Sequence, residues 1–178
     1  GAALFIKAKL FDQIGGFDED YKAHMEEIDL CWRLKRANYK IMVCSQSTVW
    51  HVGGGTLPKH NPHKAFLNFR NSLATLFKNT AGKKAYLLVF IRLLLDAVAG
   101  LRFMLQGEWA NVGAIIKAHW SFFARFKELK RKKQTTSTQL ERLSYQGKMK
   151  FRAAGLYPKS IVWQHFVKGK NTFNDLEL

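Results

Sequence analysis

The sequence has only two cysteines in 178 residues, too few for a disulfide scaffold. Cys31 and Cys44 match no metal-ligand spacing, which excludes a zinc finger and suits a reducing compartment with both thiols free. Acidic residues are scarce as well: 13 Asp plus Glu stand against 29 Lys plus Arg, a formal net charge of +16. No apolar run approaches the roughly 18–20 residues of a membrane span. Ala85 to Ile91 is far shorter, and Arg92 and Asp96 would sit mid-span. Gly1-Ala2-Ala3-Leu4-Phe5-Ile6 carries no charged region ahead of an apolar one, so it is not a signal peptide and reads as the middle of a longer chain. Gly53-Gly54-Gly55 is not followed by Lys and Ser or Thr at P-loop spacing.

What is present is a chain 47% hydrophobic and 13% aromatic, able to build a core and unlike a disordered tail. Its charge points to a polyanionic partner: nucleic acid, an anionic membrane surface or a phosphorylated substrate. Residues 1–80 hold 11 basic and 7 acidic residues, and residues 81–178 hold 18 and 6. The excess therefore lies in the second half.

Leu4-Phe5-Ile6 reads as a buried strand, Lys7 to Ile14 as a short helix ended by Gly15-Gly16, and Phe17 to Tyr21 as an acidic loop with aromatic anchors. The pattern predicts a helix over His24 to Ala37, with Glu26, Glu27 and Asp29 in its first turn and Lys35 and Arg36 at its end, complementing the macrodipole. Tyr39 to Ser45 and Ser47 to His51 read as strands leading into the glycine triplet, and Thr56 to Pro62 as a loop. Helical spacing returns from His63 to Asn79. From Lys84 to Gln106, the polar residues Lys84, Arg92, Asp96, Arg102 and Gln106 fall in an arc of roughly 120°, leaving about two-thirds of the helix apolar. Glu108 to Lys133 reads as a further helix with a basic end, Gln134 to Thr138 as a linker, and the tail with Trp163, Phe166 and Phe173 as docked.

Three places could carry chemistry. On a helix, Glu26 and Asp29 share a face, Arg33 follows Asp29 by four residues, and Glu27 points about 100° away from Glu26. The plain alternative is a solvated Asp29–Arg33 pair; the sharper one is a general base in a cleft. His51 closes a strand before the Gly loop and could complete a metal shell, although a lone His is more often structural. Arg70-Asn71 could be a solvated or capping pair, or Arg70 could fork onto phosphate oxygens.

Six stretches then occur in order: Gly1-Ala2-Ala3-Leu4-Phe5-Ile6, Ile14-Gly15-Gly16-Phe17-Asp18-Glu19, Glu26-Glu27-Ile28-Asp29-Leu30-Cys31-Trp32-Arg33-Leu34, Asn38-Tyr39-Lys40-Ile41, Val49-Trp50-His51-Val52-Gly53-Gly54-Gly55 and Asn68-Phe69-Arg70-Asn71-Ser72-Leu73. Together they resemble the second half of a bacterial family 2 glycosyltransferase. The resemblance implies a partial GT-A fold, α/β in class, followed by a mostly helical extension that makes the chain helix-dominated overall. It implies inverting transfer from a nucleotide sugar to an acceptor hydroxyl of a cell-surface glycan or lipid-linked intermediate, with Mg²⁺ or Mn²⁺ in the intact enzyme. Glu27 matches the catalytic base, Glu26 its acidic neighbour, Asp29 and Arg33 supporting positions, and His51 the metal-shell histidine. Arg70, Gly53 and Gly54 fall at donor or phosphate-binding positions. The commoner family pattern is Glu then Asp, so Glu27 is longer by one methylene than the usual base. The family's first half, with its nucleotide-binding loops and Asp-x-Asp metal motif, is expected to lie outside this sequence, leaving the fragment inactive alone.

These readings divide the chain into residues 1–80, a catalytic portion; 81–133, amphipathic basic helices; and 134–178, a linker and docked tail. The basic helices are expected to seat the protein on the inner, cytoplasmic face of the cell membrane, the rival being a helical bundle or a homodimer contact. A nucleic-acid module is disfavoured because the cations follow apolar helix faces and the acidic cluster would repel phosphates. A truncated, non-catalytic interaction domain is the other alternative.

Overall fold

The computed structural model describes residues 3–51, 61–144, 159, 161–172 and 175. The chain enters α1 (Ala8–Gln13), crosses a single 3₁₀ turn at Glu19–Tyr21 and forms α2 (Glu26–Arg36). Then come α3 (Pro62–Asn79), α4 (Lys84–Leu105), α5 (Trp109–Ala124), α6 (Phe126–Ser144) and a short α7 (Ile161–Phe166). The local reasons are visible in the sequence. Asn61 caps α3, its side chain accepting from the His63 N–H at 2.8 Å, and Pro62 occupies the first turn, where its missing N–H costs nothing. Gly107, at φ +74°, allows the chain to reverse between α4 and α5.

The expected α/β class is not found: the described residues form helices, with no strand and no sheet among them. The helix-dominated character is as expected. Residues 3–6, 39–44 and 47–51 have no ladder partners among the described residues. Leu4 to Ile6 and Tyr39 to Cys44 line one groove of about 780 Å³ without pairing across it. A strand exists only through a neighbour's N–H and C=O groups, and β-rich composition alone does not supply one. Phe5, Met42, Val43 and Trp50 are left exposed.

The segment read as one helix over 108–133 is two, broken at Arg125, and the expected linker at Gln134–Thr138 lies inside α6. Thr and Ser there are weak helix formers, but α6 is anchored on both sides of them. Leu129 packs into one core with Tyr21, Leu73, Ala74, Phe77, Ala85, Val89 and Phe122, while Leu140 packs into a second with Ile14, Leu30, Leu34 and Ala37. Tertiary burial thus overrides propensity. In the tail, Gln164 is buried while Trp163 and Phe166 are more than half exposed, and Phe173 lies outside the described residues.

Phe77 centres the first core. Its ring meets Tyr86 and Phe122 edge-on at 5.6 and 6.2 Å and Phe126 at 4.9 Å, joining α3, α4, α5 and α6. Phe77→Ala is expected to cost about 3–5 kcal/mol, read as a lower urea midpoint with unchanged slope. A loss below about 1 kcal/mol would show that the four helices are held elsewhere.

Candidate active site

The backbone just ahead of α2 is unusual. Lys22, His24 and Met25 have φ of 53°, 65° and 73°, three non-glycine residues in the left-handed region within four positions. Each such residue costs of order 1–3 kcal/mol and persists only where its surroundings over-determine it. Met25 also begins α2 without a side-chain cap, so this chain path is not chosen for helix stability.

α3 supplies the restraint. The Asn71 amide nitrogen donates to the carbonyls of Tyr21, Ala23 and His24 at 3.1, 2.8 and 2.8 Å. With two hydrogens for three acceptors, at least one is shared. The Asn71 oxygen accepts from Arg70 Nε at 2.9 Å, and Arg70 Nη2 donates to the Asp20 carbonyl at 2.9 Å. Two consecutive α3 residues therefore fasten the loop that delivers Glu26 and Glu27.

Beneath the loop lies a buried ionic network. Asp29, fully inaccessible, accepts from Arg33 Nε at 2.9 Å and Asn79 Nδ2 at 2.7 Å, with Lys78 Nζ at 3.3 Å and the Tyr21 hydroxyl at 3.5 Å. The remaining Arg33 nitrogens donate to the carbonyls of Ile14 and Gly16 at 2.7 and 2.6 Å. The Asp29–Arg33 pair is thus a buried brace across the Gly15-Gly16 turn, not a solvated surface pair. Lys78 also bonds Asp18, and Lys132 from α6 bonds both Asp18 and Asp20. Arg125 pairs with Asp20 and Glu128.

Burial alone would raise the Asp18 carboxyl, but the Lys78 and Lys132 ammoniums outweigh it and hold the group at about 2. Burial and the Asp29 charge push the Tyr21 phenol well above its usual range, so it remains neutral, donating toward Asp29 and accepting from Thr75 at 2.9 Å. Burial, followed by the Glu27 charge, raises the Cys31 thiol, which makes it a poor nucleophile.

Glu26 and Glu27 stand half-buried at the head of α2, one turn before Asp29. Glu26 Oε2 and His24 Nε2 are buried with no hydrogen-bond partner among the described residues; such atoms need a partner from elsewhere. Asp29 and Arg33, expected as supporting residues, form the buried pair described above. Arg70 reaches the loop backbone, at a position expected to bind donor or phosphate. His51 is exposed and joins none of these groups among the described residues, and Gly53 and Gly54 lie outside them. No three His, Cys, Asp or Glu side chains form a metal-holding group among the described residues. The sequence does contain one Asp-x-Asp, Asp18-Glu19-Asp20, but Lys78, Lys132 and Arg125 occupy its two aspartates. Its carboxylates serve the fold.

Sequence reasoning missed Asn71 as the loop clamp, Lys78 and Asn79 as partners of Asp29, and Lys132 as an internal cation. Asn71 was within reach, since it follows Arg70 in a quoted stretch. Lys132 was not, because nothing separates it from its neighbours in the run Lys130 to Lys133.

An 80-residue stretch, 45% of this chain, is 31% identical to an N-acetylglucosaminyl-diphospho-decaprenol L-rhamnosyltransferase of Mycobacterium tuberculosis strain CDC 1551, and equally to that of strain H37Rv. The stretch covers 24% of each relative, so the chain spans about a quarter of the length of the curated relatives it matches. Part of the chain is thus distantly related to a glycosyltransferase. No family model matches the chain, and no solved structure matches it.

The Asp18 carboxyl is depressed on folding, so its contribution is present above the unfolded value near 3.8 and is lost as pH falls through about 2. Acid titration between about pH 4 and pH 2 should remove on the order of 2 kcal/mol, and Asp18→Asn should flatten that slope. An unchanged acid profile in the variant would remove Asp18 from the network.

Proposed function

We propose that the chain is the acceptor-side portion of an inverting glycosyltransferase. The observation that carries this reading is the left-handed loop at 22–25, fastened by Asn71 and leading directly into Glu26-Glu27, in a chain partly related to a rhamnosyltransferase. Strain of this kind is retained where placement of a side chain matters more than stability.

In the proposed reaction, a Glu27 carboxylate oxygen takes the proton from an acceptor hydroxyl as that oxygen forms its bond to the anomeric carbon of the donor sugar. The bond from that carbon to the nucleoside diphosphate breaks on the opposite face, its electron pair leaving with the phosphate oxygen. Glu26 orients the acceptor from the adjacent position. Asp29 and Arg33 hold α2 and the Gly15-Gly16 turn at fixed distance, so the base does not drift. Arg70 fixes the loop, and its charge also favours a departing diphosphate nearby. His51, Gly53 and Gly54 belong to the donor side of this proposal.

The donor sugar is proposed to be bound largely by segments other than those described. Residues 3–6 and 39–44, without ladder partners among the described residues, suit strand partners of that kind. A divalent ion is retained only as part of this proposal. The described residues do not assemble a shell for it, and no step above is routed through it. The relative's name specifies a lipid-linked acceptor, and the acceptor proposed here is of the same kind: a lipid-linked intermediate or surface glycan. In this reading, residues 1–80 provide the catalytic portion, 81–133 the basic helices and 134–178 the tail.

Glu27→Gln in the intact gene product should lower transfer by roughly 10²–10⁴ while donor affinity, measured by calorimetry, is unchanged. Near-normal turnover would exclude Glu27 as the base.

A further inference from the structure

α4 is built inside out. Its only acidic residue, Asp96, is 2% exposed and pairs with Arg92 at 2.6 Å and with His119 of α5 at 3.1 Å. Ala85, Val89 and Gly100 share that inward side. The outward side carries Leu87, Phe90, Leu94, Val98, Leu101 and Leu105, all more than half exposed, with Val98 at 66% and Leu105 at 82%. At 100° per residue these six fall within an arc of about 80°. On α5, Trp109, Ile116, Trp120 and Phe123 form a second exposed stripe, each of them more than half exposed. A water-facing helix orients its charges the other way, and contiguous apolar surface on this scale marks a contact site.

The surrounding charge identifies the contact. Lys83, Lys84 and Arg102 on or beside α4, Lys117 on α5 and Lys127 at the start of α6 are all exposed. From residue 81 to 127 the acidic residues are Asp96, buried, and Glu108, which bonds Asn111. An apolar face with a cationic rim complements an anionic bilayer surface, whereas two copies meeting on it would bring like charges together. No described helix is long and apolar enough to cross a membrane. We propose that α4 and α5 form an in-plane docking face for an anionic lipid bilayer, with the outward side chains among the acyl chains and the rim cations at the headgroups. Lys132 and Arg125, held internally by Asp18 and Asp20, contribute little to this attraction. The inference stands apart from the catalytic reading and survives its failure.

Co-sedimentation of the 178-residue chain with vesicles of neutral phosphatidylcholine, or of phosphatidylcholine with phosphatidylglycerol, tests it. At least tenfold tighter binding to the anionic vesicles, weakening as salt rises, is expected. The double variant Leu94→Glu/Val98→Glu should lose at least tenfold, while Val43→Glu, outside the face, should bind as the parent does. Quenching of tryptophan emission by brominated acyl chains should fall in Trp109→Phe/Trp120→Phe, a readout that leaves the fold undisturbed. Absence of binding, equal binding to both vesicles, or unchanged binding of the double variant would overturn the proposal. So would a dimer that dissociates in Leu94→Glu/Val98→Glu, since a second copy would then cover the face.

Discussion

A carboxylate with no access to water governs this molecule. Burying the Asp29 carboxylate requires cations and donors to replace its hydration, and four side chains from three segments do so: Arg33 from α2, Lys78 and Asn79 from α3, and Tyr21 from the preceding loop. Each of those partners has a second task. Arg33 braces the Gly15-Gly16 turn, Lys78 reaches Asp18, and Tyr21 accepts from Thr75. Removing one partner of such a group typically costs about 3–5 kcal/mol, because an uncompensated charge stays behind. The network therefore fixes the position of α2 on α3. It also provides the rigid floor on which the left-handed residues 22–25 can be held.

That floor explains how a strained loop can exist. Three left-handed non-glycine residues oppose folding, and the Asn71 amide contributes against them with three carbonyl contacts. The outcome is a helix that starts abruptly on two adjacent carboxylates. A buried carboxylate recurs in α4, where Asp96 pairs with the partly exposed Arg92 and His119 and the apolar side faces out. The net charge of +16 is thus divided between two uses. Arg33, Lys78, Arg125 and Lys132 neutralise interior and loop carboxylates, and the exposed cations around α4 and α5 remain available to an anionic partner.

The helices were largely legible in the sequence. Those at 26–36, 62–79 and 84–105 follow from apolar spacing and glycine breaks, which act within a few residues, although the start at Asn61-Pro62 was read as loop. The Asp29–Arg33 pair was legible as a pair, but its burial was not, because burial depends on Lys78 and Asn79 some 50 positions away. The polar arc of α4 was legible as an arc, while the burial of Asp96 within it depends on His119 of another helix. Strands were misjudged at 4–6, 39–45 and 47–51 because composition reports a tendency and pairing requires a neighbour. The break at Arg125 and the helical continuation through Gln134–Thr138 were missed for the same reason, since Leu129 and Leu140 are anchored in two separate cores.

The central claim is that Asp29 couples α2, α3 and the loop into one unit. A double-mutant cycle of Asp29→Asn and Lys78→Met, read by denaturant unfolding, tests it most directly. The account predicts that the second substitution costs less once the first is present, with a coupling of about 0.5–3 kcal/mol. Additivity within about 0.5 kcal/mol would contradict it.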